Sequence, residues 1–153
     1  QPHRKRFIEK CWGLNRLDIG DTARKQTDAR YWRSRMSIRE QQRYKMIISL
    51  EGNDVASNLK WAMHSNSVVL MPIPKYETWF CEGFLRPFEH YVPLLSNYSD
   101  IEDKLDWILD NPNPTKQIIE NAHKFTSNFL DRKRQYALGG LVLDRYFNNA
   151  LDY

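Results

Sequence analysis

Two short apolar runs constrain this chain more than any other feature. Met46-Ile47-Ile48-Ser49-Leu50 is almost continuous and stops at Gly52, and SVVLMP, residues 67–72, is stopped by Pro72 and Pro74. A strand covered on one face alternates apolar and polar residues, whereas these runs suit strands covered on both. Between them, VASNLKWAMHS places Val55, Leu59 and Met63 at four-residue spacing, with Asn53 or Asp54 set to cap a helix. KYETWFCEGFL then reads as one or two helical turns rich in aromatics. HYVPLL reads as a third short strand, with Pro93 requiring an edge or an end. Ile101, Leu105 and Ile108, with Leu109, share one face of a further helix. NPNP ends that helix, Pro114 begins the next one over TKQIIENAHKFTSNFL, and YALGGLVLDRYFNNAL is helical on both sides of Gly139-Gly140. Strand and helix alternate over residues 46–130, which predicts an α/β, Rossmann-like parallel sheet flanked by helices. Helical additions at both ends complete a single domain.

Residues 1–45 form a basic lead-in to residues 46–153. They carry thirteen Lys/Arg against five Asp/Glu, while the remainder carries ten against fourteen. RKRFIEKCW suits a short helix, DIGDTARKQTDARYW an irregular connection, and Ser37-Ile-Arg-Glu40 a capping box. Such a block either meets an anionic partner or is a solvated basic face. Arg30, Tyr31, Trp32, Arg33 and Arg35 mix charge and aromatic rings as nucleic-acid binders do, without an RNA-recognition or helix-turn-helix signature. No run approaches the ~18 apolar residues of a membrane span. The first ten residues are polar and basic, unlike a signal peptide, and a chain starting at Gln1 reads as a piece of a longer one. Cys11 and Cys81 make no metal or disulfide pattern, which mildly favours a reducing compartment. His3, His64, His90 and His123 fall in separate elements, so no metal site is expected. No nucleophile motif occurs.

The chemistry concentrates in two turns. In an open parallel sheet, ligands bind beyond the carboxyl ends of the strands, and SLEGND sits at such an end. Free N–H groups from Asn53 to Ser57 would suit a diphosphate, with Lys60 one turn further on. A lone Gly52 is not a dinucleotide fingerprint, and local chemistry by itself favours an ordinary strand-to-helix turn. After the second strand, Glu77 and Glu82 could accept hydrogen bonds from ribose, with Tyr76 and Trp79 offering flat faces. The alternative is that these aromatics are core and the glutamates solvated.

The string YKMIISLEGNDVASNLKWAMHSNSVVLMPIPKYETWF, followed by EGFLRPFEHYVPL, closely resembles glycosyltransferase family 90. The resemblance runs from about Tyr44 to Phe147, and its wording is nearest to bacterial members that build lipopolysaccharide or lipooligosaccharide cores. It implies a two-domain GT-B transferase of which this is the donor-binding half, using a nucleotide sugar, commonly UDP-linked. It implies no cofactor and no metal. The catalytic aspartate would come from the other half, so no catalytic residue is assigned here. It places the donor at Glu51, Gly52, Asn53, Ser57, Asn58 and Lys60, with Glu77, Trp79 and Glu82 as further contacts. Eukaryotic members carry arginine where this chain has Asn58, which shifts the expected charge to Lys60 or to Arg4 or Arg6 of the lead-in. The expected partners are the nucleotide sugar, a glycan or lipid-linked acceptor, the other half of the enzyme and an anionic membrane surface. The expected location is the cytoplasm at the inner membrane face, and nucleic acid is not an expected partner. A nucleic-acid-binding module and a non-catalytic half-domain are the alternatives.

Overall fold

The computed structural model describes residues 1–23 and 28–150. Residues 24–27 of the irregular connection, and Leu151 at the end of the last expected helix, lie outside the described residues. In chain order come α1 (Pro2–Cys11), α2 (Ile38–Gln41), β1 (Met46–Ile48), α3 (Leu59–Met63) and β2 (Val68–Pro72). A 3-10 turn (Glu82–Phe84), β3 (Val92–Leu94), α4 (Ile101–Asp110), α5 (Pro112–Ser127) and α6 (Arg132–Ala150) follow.

The three strands form one parallel sheet in the order β1-β2-β3. Central β2 shows why its sequence does not alternate. Val68 and Leu70 face a core made with Phe7, Cys11, Ile101, Leu105 and Ile108, on the side of α1 and α4. Val69 and Met71 face a second core made with Leu59, Met63, Phe80, Tyr91 and Ala122, on the side of α3 and α5. Pro93 pairs with Met71 in edge strand β3, where its missing N–H costs no ladder bond to a further strand. Leu70 is fully buried, so Leu70→Ala is expected to cost about 2–5 kcal/mol in chemical denaturation.

Several boundaries differ from the expectation. The capping box at Ser37 and Glu40 is present. The helix after the first strand, however, starts only at Leu59 and is five residues long. Gly52 N–H bonds to the Asp54 carbonyl, turning the chain before a helix can start, and neither Asn53 nor Asp54 caps one. Asn58 precedes the helix without capping it, because its amide is engaged elsewhere. The aromatic segment forms only the short 3-10 turn. α5 begins at Pro112, not Pro114, and Pro114 is tolerated because the first-turn N–H groups lack helical partners anyway. α6 runs unbroken through Gly139-Gly140, where an added Cβ would meet nothing within 4 Å.

Tyr91 is completely buried, and its hydroxyl has no hydrogen-bond partner among the described residues. Burial pushes that phenol up to about 12, and the buried Cys11 thiol up to about 11. Both folded values exceed the ordinary ones of 10 and 9, so the fold favours the neutral forms. Their contribution is intact below pH 9, and it is lost as pH rises through 11 and 12. Tyr91→Phe is therefore expected to be neutral or stabilising by up to about 1 kcal/mol at pH 7. Its advantage over the parent should widen above pH 10, read by melting temperature across an alkaline series.

Candidate functional site

A cavity of about 340 Å³ opens at the carboxyl ends of all three strands. Ser49 to Gly52 bring in the chain after β1, Met71 to Tyr76 the end of β2, and Ser96 with Tyr98 the chain after β3. Val55, Ala56 and Leu59 add an apolar wall, Glu82 reaches in from the 3-10 turn, and α1 contributes His3 and Arg6.

Glu51 organises this end of the sheet. Its side-chain Oε1 accepts the N–H groups of Lys75 (2.8 Å) and Tyr76 (3.1 Å), tying the exit of β1 to that of β2. Its carbonyl accepts from His3 Nε2 (2.8 Å) and Arg4 Nε (2.9 Å), and the neighbouring Leu50 carbonyl accepts from Arg4 Nη2 (2.6 Å). A carbonyl only accepts, so His3 must carry its proton on Nε2. Gln1 donates to Asn53 Oδ1, so the start of α1 is fastened along the whole turn.

Beyond Gly52 the chain is exposed at Asn53, Asp54 and Ser57 and buried at Ala56. The N–H groups of Asn53 through Asn58 have no acceptor among the described residues. Gly52 itself has no left-handed φ, and an added Cβ would lie 3.5 Å from the Arg4 guanidinium and the Gln1 amide. The backbone conformation thus does not require glycine here. Asn58 looks inward: it accepts from the buried Ser49 hydroxyl (3.0 Å) and donates to the Ile48 carbonyl (3.1 Å). Glu82 is only 2% exposed, and its carboxylate accepts from the Thr78 N–H (2.7 Å) and hydroxyl (2.9 Å). An ionised carboxylate has about four acceptor sites, which leaves capacity toward the cavity.

The residues singled out from the sequence therefore divide. Glu51, Gly52 and Glu82 line the cavity. Asn53, Ser57 and Asn58 border a larger hollow of about 1440 Å³ on the other flank of the turn, against the lead-in. Lys60 lies outside both, its Nζ 5.8 Å from the centre of the Phe80 ring. Trp79 donates its indole N–H to Gln135 of α6, and Glu77 is exposed beside Gly83. Sequence reasoning passed over His3 except as a metal ligand, and no local pattern joins residue 3 to residue 51. The four histidines each hydrogen-bond a protein group, and no cluster of three or more metal-ligating side chains occurs among the described residues.

Residues 12–149 match the profile of glycosyl transferase family 90. The chain belongs to this family. Among its relatives is an O-glucosyltransferase LpsA of Dichelobacter nodosus, 40% identical over 148 residues, 97% of this chain and 46% of that protein. Protein O-glucosyltransferase 3 of Rattus norvegicus is 31% identical over 105 residues, 68% of this chain and 20% of its own length. An uncharacterised protein, 179R of Invertebrate iridescent virus 6, is 34% identical over 107 residues, 65% of this chain and 9% of its own length. The family 90 chain thus spans less than half the length of these relatives. The family match takes in the whole strand-end cavity except the part contributed by α1.

Proposed function

We propose that this chain is the donor-binding part of a GT-B glycosyltransferase that draws on a UDP-linked sugar and glycosylates a lipopolysaccharide or lipooligosaccharide acceptor. The observation that carries the proposal is the run of unpartnered N–H groups after Gly52, beside a cavity at the strand ends. Unpartnered backbone donors held in place by a fastened turn suit a diphosphate, and they need no reorganisation when the leaving group gains charge. In this reading Glu51 and Gly52 shape the diphosphate seat, the backbone of Asn53 to Ser57 supplies donors, and Glu82 accepts from the ribose hydroxyls. Asn58 supports the seat from beneath, while Lys60, Glu77 and Trp79 stand away from it. α3 is too short to contribute much of a helix dipole, so loop donors replace it.

The base that activates the acceptor is assigned to the part of the enzyme that the relatives possess beyond the matched segment. No metal or cofactor is invoked. α6 exposes Tyr136, Leu141, Tyr146 and Phe147 and lies within the family match, so we assign its surface to contact with that part. The acceptor is expected at the inner face of a bacterial membrane, in the cytoplasm, with the basic lead-in touching anionic lipid. No helix of the described residues is long and apolar enough to cross a membrane. Nucleic acid is a poorer fit, because the basic lead-in carries neither an RNA-recognition nor a helix-turn-helix signature.

Calorimetric titration with UDP, ADP, GDP and CDP tests the donor class. UDP is expected to bind tightest, and no binding of any of the four at millimolar concentration would contradict the proposal. The name of the Dichelobacter relative makes UDP-glucose the first complete donor to try.

A further inference from the structure

We infer that Arg6 is the side chain that meets the nucleotide's diphosphate, while Arg4, two residues earlier on α1, holds the turn that receives it. This rests on the donor-site reading above and adds the cation that serves it.

The setting of α1 is fixed by what it buries. Phe7 packs edge-on against Tyr98, 5.1 Å between ring centres, and Cys11 one turn later is fully enclosed. One turn before Phe7, His3 falls on the same face and reaches the Glu51 carbonyl. Arg4 spends its guanidinium on the carbonyls of Leu50 and Glu51. Arg6 lines the strand-end cavity and has no carbonyl or carboxylate partner among the described residues. Its charge is felt at the Tyr98 hydroxyl on the same cavity wall. A guanidinium with five unspent donors at the edge of an anion seat is matched to a diphosphate, which it can grip in a two-pronged way.

The other cations fit less well. Lys60 lies over Phe80 outside the cavity. Lys75 lines the cavity with an ammonium unpaired among the described residues, but a point charge lacks the fork geometry that matches two phosphoryl oxygens.

Calorimetry with UDP, uridine and inorganic pyrophosphate separates these roles. Arg6→Gln is expected to weaken UDP binding at least tenfold, abolish measurable pyrophosphate binding and leave uridine affinity unchanged. Its melting temperature should equal the parent's, because the side chain makes no hydrogen bond or ion pair among the described residues. Lys5→Ala, an exposed change on the same helix, should leave all three ligands unaffected. UDP binding by Arg6→Gln within twofold of the parent, or a loss borne by Lys75→Ala alone, would overturn the inference and leave the donor-site reading standing. A parent protein that binds no UDP would overturn both.

Discussion

Glu51→Ala is expected to weaken UDP binding by more than tenfold and to destabilise the fold by about 1–2 kcal/mol. Among the described residues, the carboxylate is the only side chain that ties the exit of β1 to the exit of β2 at the cavity, through the N–H groups of Lys75 and Tyr76. Those two residues are exposed, so water can replace the lost acceptor and the stability cost stays modest. The geometry of the seat has no such replacement. With the tie gone, the Leu50–Asn53 turn keeps the clasp from α1 and its own Gly52–Asp54 bond, neither of which reaches β2. Glu51→Gln separates position from charge, since its carbonyl oxygen can still accept both N–H groups. It is expected to retain most of the affinity, and removing a negative charge next to a diphosphate favours binding further. Calorimetry paired with thermal melts reads both effects.

Asn58→Ala should be the more damaging change for the fold itself. It strands the Ser49 hydroxyl, which is 1% exposed, together with the Ile48 carbonyl. Leaving a buried polar group unsatisfied costs about 1–3 kcal/mol and the half-buried Ile48 carbonyl adds less, so a total of about 2–4 kcal/mol is expected. For a domain of this size, that lowers the melting temperature by roughly 5–12 °C. The double change Ser49→Ala with Asn58→Ala should cost less than the sum of the singles, because it removes donor and acceptor together. The same two hydrogen bonds hold the Asn58 side-chain amide against β1.

These residues also show which parts of the architecture were written locally. The runs at 46–50 and 67–72 predict doubly covered strands because burial on both faces erases alternation, and the two cores on either side of β2 bear this out. The apolar face of Ile101, Leu105 and Ile108 and the Ser37–Glu40 cap depend only on neighbours within a turn of helix, and both are found. The late start of α3 was not legible. Asn58 looks like a helix former or a ligand contact until Ser49 claims its oxygen, a pairing decided by tertiary packing. That late start places Leu59, Ala62 and Met63 inward and turns Lys60 out over Phe80. In the candidate site, Glu51, Gly52 and Glu82 could be picked out because they follow strand ends. The clasp from His3 and Arg4 could not, since it joins side chains to carbonyls across more than forty residues with no pattern to mark it.

The most direct test is an amide-resolved NMR titration of the isotope-labelled protein with UDP. The account predicts saturable shifts at the N–H groups of Asn53 to Asn58 and of the residues lining the strand-end cavity, with the far ends of α5 and α6 unmoved. A folded protein whose 53–58 amides stay in place at millimolar UDP, or whose shifts gather only at the exposed basic lead-in, would contradict it.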